Sequence, residues 1–154
     1  LAMNSLALID IATEASGLLP ETVEMVSQSK VLDRLHLAKN PFVPEGILGI
    51  LAHDKAKNVL KAVVKNPKTK QNPLILEKLW RTCSPSSDDW GWTVRETLAR
   101  FFALPIQVML EAMQDPNDQV RRAIAQNRAL PKVHRRALLN DPVEAVVQAA
   151  RSCL

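Results

Sequence analysis

Tyrosine is absent, and the 154 residues include only three tryptophans, three phenylalanines and four glycines. So few aromatics suit a core of small aliphatic side chains packed between helices. The four glycines, Gly17, Gly46, Gly49 and Gly91, are scattered, which excludes a glycine-rich phosphate loop. Two isolated cysteines, Cys83 and Cys153, lack C-x-x-C spacing. They exclude a disulfide framework and point to a reduced, cytoplasmic compartment. Long apolar runs are missing too: even Ala99 to Leu110 is interrupted by arginine, proline and glutamine, so no membrane span is expected. Residues 1–12 contain no basic cluster and are not expected to form a signal peptide. A chain opening at Leu1 instead of Met reads as a fragment of a longer one.

Charge is uneven along the chain. Residues 1–29 carry four acids (Asp10, Glu14, Glu21, Glu24) and no lysine or arginine, whereas residues 30–78 carry ten bases, nine of them lysine. Residues 79–118 are acidic, and residues 119–154 are again basic. Two basic blocks flanking an acidic one form either a segmented binding face or an ordinary solvated surface.

Proline supplies the main signal. Nine of ten prolines fall at three phases of one repeating unit, and Asp89, Asp115 and Asp141 stand 26 residues apart. Five residues after each aspartate comes a valine: Val94, Val120 and Val146. In the unit 115–140, Asp115-Pro116 reads as a helix start, with the carboxylate as cap and proline in the first turn. Val120, Ala123 and Ile124 then form an i, i+3, i+4 stripe with Arg121 and Arg122 pointing away. Asn127 is expected to stop the helix in a left-handed conformation. Leu130-Pro131 opens a second short segment whose inner face is expected to be Val133, Ala137 and Leu138.

The same frame extends upstream. Val59, Ala62, Val63 and Asn66 follow Asp54, with extra residues around Thr69 to Gln71, and Asn40-Pro41 repeats Asn66-Pro67. Leu19-Pro20 and Val43-Pro44 open earlier second segments, and Ile9, Ala12 and Thr13 read as the tail of an earlier first helix. Phe101-Phe102 replaces one Asn stop and is expected to bury that turn, while Ser84 to Asp88 lengthens the unit beginning at Asp54. The units are 1–29, 30–53, 54–88, 89–114 and 115–140, with a terminal helix 141–154. That helix lacks a second segment, so Val146, Val147, Ala149 and Ala150 mark a cut within the array or a missing neighbour. A period in this range implies stacked repeats, in which helices too short to persist alone are held by their neighbours.

The string from Asp115 to Asn127, Asp-Pro-Asn-Asp-Gln-Val-Arg-Arg-Ala-Ile-Ala-Gln-Asn, followed by Leu130-Pro131, resembles the leucine-rich repeat variant family. The resemblance covers nearly the whole chain and is tightest over Asp115 to Gln148. It implies an all-α, right-handed α-solenoid of about five short two-helix repeats, in which α-helices alternate with 3₁₀-like segments. HEAT and armadillo repeats are similar in style, but their units run to about 40 residues or more. The family pattern defines a scaffold and carries no catalytic residue. Some members are associated with a cysteine-bound iron–sulfur cluster; this chain lacks the cysteines, so no cofactor is expected.

Catalytic constellations are weak. His53 beside Asp54 could be a base and its orienting acid, but Asp54 holds the cap phase of the repeat. His36 and His134 share no metal-binding spacing with it, and Ser84, Ser86 and Ser87 lack a nucleophile-elbow context. Basic residues at equivalent phases are Lys61, Arg95, Arg121 and Arg122, with Lys39, Lys65 and Arg100 one residue before the stop. Stacked, they would form a ridge able to follow a phosphate backbone. Trp90-Gly91-Trp92 is the most unusual local feature. Trp92 stands at a phase that is polar elsewhere, and it either anchors a partner at an acidic edge with Trp90 and Asp88 or folds back against Trp80. The expected function is a non-catalytic protein–protein scaffold without metal or cofactor. A nucleic-acid-binding solenoid using Lys61, Lys65, Arg95, Arg100, Arg121 and Arg122 is the alternative.

Overall fold

Stripes of valine, leucine and alanine at helical spacing should each fold as one short helix with a buried face, and they do. A computed structural model describes residues 20–86 and 90–154. Among the described residues there are ten α-helices, two 3₁₀ turns and no strand, so the protein is all-α. The expected helix tail at Ile9, Ala12 and Thr13 lies outside the described residues, as do Asp88 and Asp89. The chain divides into two compact units, one ending at Thr82 and one beginning at Cys83.

The first unit contains α1 (Pro20–Gln28), α2 (Val31–Lys39), α3 (Glu45–Leu51), α4 (Lys57–Lys65) and α5 (Pro73–Thr82). Helix α2 packs on α4, α1 on α3, and α3 on α5, so first and second segments form separate layers. Leu37, Ala38, Val59, Leu60 and Val63 from one layer meet Ile47, Leu48, Leu51, Leu76 and Leu79 from the other, all buried. The extra residues Thr69–Gln71 fold as a 3₁₀ turn. Buried Thr69 donates from Oγ1 to the Val63 carbonyl at 2.5 Å, which ties the insertion to the end of α4.

The second unit contains α6 (Trp92–Phe101), α7 (Ile106–Ala112), α8 (Asp118–Ala125), α9 (Lys132–Arg135) with the 3₁₀ turn Arg136–Asn140, and α10 (Glu144–Ser152). Helices α6, α8 and α10 pack in succession through Val94, Leu98, Val120, Ile124, Val146 and Ala150. Val146, Val147, Ala149 and Ala150 are all buried within this unit, so the terminal helix presents no open apolar face through them. In the preceding second segment the expected inner face is only partly right. Leu138 is buried, but Val133 is 68% exposed and Ala137 is exposed, because buried Arg135 occupies the inward position.

The helix stops work differently from the expectation. No described residue has positive φ, and Asn66 ends α4 in an extended conformation, φ −66° and ψ 130°. Its side chain does the work. Asn66 Nδ2 donates to the carbonyls of Ala38 and Asn40 in the preceding repeat, at 2.8 and 2.9 Å, while Oδ1 accepts from Lys68 N–H. Asn127 repeats this, donating to Ala99 O at 2.6 Å and Phe102 O at 2.8 Å and accepting from Ala129 N–H. Each asparagine thus satisfies carbonyls left over at the end of the previous helix. At the position 26 residues before Asn127 stands Phe101, which is 67% exposed. A ring cannot bond those carbonyls, so the turn is not buried as expected.

Asn127→Ala would remove the side-chain donor from the buried Ala99 carbonyl and one of two donors from the Phe102 carbonyl, and should lower stability by about 1–3 kcal/mol. Asn127→Asp should cost more, since it turns a carboxylate toward the same two oxygens. Urea denaturation, with exposed Arg128→Ala as the reference, should show both midpoints clearly below the reference; a shared midpoint would mean the staple contributes nothing.

Candidate interaction surface

Asp115 and Asp141, which help set the register, are not helix caps. Helix α8 begins at Asp118, and its N-cap is Asn117, whose side chain accepts from Gln119 N–H at 2.9 Å. Pro116 therefore lies before the helix and not in its first turn. Asp115 Oδ1 accepts from Asn117 N–H at 3.0 Å, a turn bond repeated by Asp54 with Ala56 and by Asp141 with Val143. Each carboxylate also receives a guanidinium from the helix 20 residues upstream. Arg95 donates from Nε and Nη2 to Asp115 at 2.7 and 3.1 Å, and Arg121 does the same to Asp141 at 2.8 and 3.3 Å. Arg34 pairs with Asp54 at 2.6 and 3.3 Å. The third amine of each arginine binds a backbone carbonyl: Ser29 for Arg34, Cys83 for Arg95, and Asp115 for Arg121. Two parallel bonds to one carboxylate fix geometry as well as charge.

This arrangement removes two residues from the basic ridge. Arg95 is 0% exposed and enclosed with Asp115, and Arg121 is largely buried with Asp141, so neither points to solvent as the spacing suggested. The electrostatics of the outer pair follow from its geometry. The bond to Asp141 raises the Arg121 pKa above its usual value despite burial, and the surrounding carboxylates add to it. Burial pushes the Asp141 carboxyl up, but the bonds from Arg121 and Val143 N–H, with the Arg121 charge, outweigh it and hold it below the ordinary carboxylate range.

Four basic candidates remain accessible. Lys61 and Lys65 are exposed on α4 and, with Lys39 of α2, line a shallow groove of about 290 Å³. Arg100 is exposed but leans on Gln126 Oε1 at 2.8 Å and lies 5.7 Å from the Phe101 ring, while Arg122 is exposed on α8. The groove belongs to the first unit, and Arg100 and Arg122 to the second.

The tryptophan edge divides as well. Trp90 is 36% exposed and Trp92 is half-buried at the start of α6; Asp88 lies outside the described residues. Gly91 between them is buried, and a Cβ there would lie 2.6 Å from the Cys83 carbonyl oxygen. That oxygen also accepts from Arg95 Nη1 at 2.6 Å. The glycine is thus needed for close backbone approach, not for an unusual φ.

His53 does not use Asp54, which Arg34 holds; its Nδ1 lies 3.5 Å from Thr82 Oγ1 and the residue is exposed. Sequence reasoning missed Arg135. It donates to the carbonyls of Ala125 and Asn127 and, at 3.0 Å, to Cys153 O. Its signal was the 26-residue period itself, since Cys153 stands where the next staple asparagine would be. No group of histidine, cysteine or acidic side chains that could hold a metal occurs among the described residues, and none of their helices is long and apolar enough to cross a membrane. Comparison with family models, curated proteins and solved structures finds no match to this chain.

Asp115→Ala removes two charge-assisted bonds from fully buried Arg95 and should cost about 3–5 kcal/mol. Asp141→Ala, at a partly solvated pair, should cost about 1–3 kcal/mol. Because the Asp141 carboxyl is depressed in the folded state, its stabilisation is complete above the unfolded value of about 4 and is lost as pH falls through the folded one. The stability gap between wild type and Asp141→Asn, measured by chemical denaturation, should therefore be constant near neutrality and shrink below about pH 4. A gap that does not change with acid would remove the carboxylate from the account. Gly91→Ala should lower stability by about 1–3 kcal/mol through overpacking against Cys83; a neutral result would mean that this contact yields freely.

Proposed function

We propose that this chain is a segment of a right-handed α-solenoid of the leucine-rich repeat variant type, with five repeats and a terminal helix. In this reading it serves as a non-catalytic scaffold for another protein in the cytoplasm. The observation that carries it is how the buried polar side chains are used. Arg34, Arg95 and Arg121 with their aspartates, Arg135 through backbone carbonyls, and Asn66 and Asn127 hold one repeat to the next, and no buried side-chain nitrogen or oxygen among the described residues lacks a partner. Polar groups committed to architecture in this way are not poised for chemistry, and function then falls to the surface. Free Cys83 and Cys153 support a reducing compartment.

Trp90 is the leading anchor for a partner, being exposed where Trp92 is half-buried. Immobilised wild-type chain should retain a protein partner that survives nuclease treatment and is lost by a folded Trp90→Ser variant. An unchanged partner set, or one lost on nuclease treatment, would remove this reading. In small-angle scattering an extended superhelix should give a radius of gyration above the roughly 15 Å of a compact chain this long.

A second reading has its own observation. Lys39, Lys61 and Lys65 around one groove could follow a phosphate backbone. Mobility shifts with DNA and RNA at about 50 and 200 mM salt decide it, since phosphate contacts weaken steeply over that range. The scaffold reading expects no shift at the lower salt; a strong, salt-sensitive shift lost in Lys61→Glu, Lys65→Glu would favour nucleic acid.

A further inference from the structure

Two glycines in the first unit have no backbone reason to be there. Gly46 and Gly49 lie three residues apart within the seven-residue helix α3, where glycine is among the least favourable residues. Neither has positive φ. Gly46 is exposed, and a Cβ on buried Gly49 would meet only the flexible end of Lys78, at 3.2 Å from Nζ. Counted from the proline that opens each second segment, the Gly49 phase holds Met25, Lys78, Leu110 and Arg136 in the other repeats. The glycines therefore omit side chains that every other repeat supplies.

What the omission leaves is a cavity of about 620 Å³, within the range of ligand and peptide pockets. Val23, Val26, Ile50 and Leu51 give it apolar walls. Its charge is one-sided. Among the described residues Asp54 is the one acid lining it, and Arg34 neutralises that carboxylate through a bidentate pair. Lys55 and Lys78 also line it and have no ion pair among the described residues, and exposed His53 adds a further nitrogen. A basic peptide would meet like charge there, and a purely apolar one would leave two ammonium groups beside it without counter-charge.

We propose that this cavity is a docking site for a short segment of a partner protein in which an apolar side chain is flanked by carboxylates. The apolar residue fills the space left by Gly46 and Gly49, and the carboxylates reach Lys55 and Lys78. The inference rests on the scaffold reading and gives that scaffold a specific partner chemistry.

The test is fluorescence polarisation on the full chain with two labelled peptides: two leucines flanked on each side by two glutamates, and the same leucines flanked by lysines. The glutamate peptide should bind and the lysine peptide should not. Gly46→Leu adds a side chain at an exposed position lining the cavity and replaces a poor helix former, so its melting temperature should not fall; its affinity for the glutamate peptide should drop about tenfold or more, at least one decade in Kd. Lys55→Glu combined with Lys78→Glu should reverse the preference between the peptides. The proposal is overturned if the two peptides bind wild type alike, if the glutamate peptide does not bind, or if folded Gly46→Leu binds it unchanged. It is equally overturned if decanoate displaces the peptide at concentrations well below those of competing unlabelled peptide, which would assign the cavity to small amphiphiles. None of these results bears on Trp90, so failure here and failure of the scaffold reading are separate outcomes.

Discussion

A guanidinium that grips an aspartate in the following repeat is the interaction on which the rest of this structure depends. Helices of seven to ten residues, such as α3, α4 and α6, are too short to persist alone in water. Apolar stripes give them a reason to stack but do not fix which turn of one helix meets which turn of the next. The Arg95–Asp115 and Arg121–Asp141 pairs fix it, because two parallel hydrogen bonds tolerate little sliding. Asn127 adds the opposite link, from one repeat back to the carbonyls that end the last helix. The repeat 115–140 is thus bound forward through Arg121 and backward through Asn127.

Burying a charged pair is costly, and the structure meets that cost by leaving no buried side-chain nitrogen or oxygen unpaired among the described residues. Arg95 reaches the Cys83 carbonyl as well as both Asp115 oxygens, and Asp115 takes a backbone N–H besides. The repeat beginning at Asp54 solves the same problem another way. Leu60 stands at the arginine phase there and is fully buried, an apolar replacement of a kind that packed interiors often accept without loss. The following repeat has Phe101 at the asparagine phase, so both linking residues change in adjacent repeats, and the chain divides into its compact units between them, at Thr82 and Cys83.

Much of the fold was legible because period and stripe are local properties. The valines at 59, 94, 120 and 146 fall on buried helix faces as their spacing required. What the linking residues do was not legible, since it depends on partners 20 to 28 residues away. An aspartate before a helix suits a cap and a clamp equally by type, and only the position of Arg95 decides between them. Arg121 looked solvent-facing because it follows the apolar stripe, but it turns toward the next repeat. Trp90 could be found from sequence because it breaks the pattern, and the lysines of α4 because they follow one; the cavity beside Gly46 and Gly49 could not, because emptiness beside a helix is a property of its neighbours.

The most direct measurement is a double-mutant cycle on the buried pair. Arg95→Ala, Asp115→Ala and the double variant would each be compared with wild type by urea denaturation. A clamp joining two repeats requires strong coupling, about 2–3 kcal/mol between the two substitutions, with the double variant much less damaged than the sum of the singles. Additive losses, within about 0.5 kcal/mol, would mean that the two side chains stabilise the array independently and that the repeats are held by apolar stacking alone.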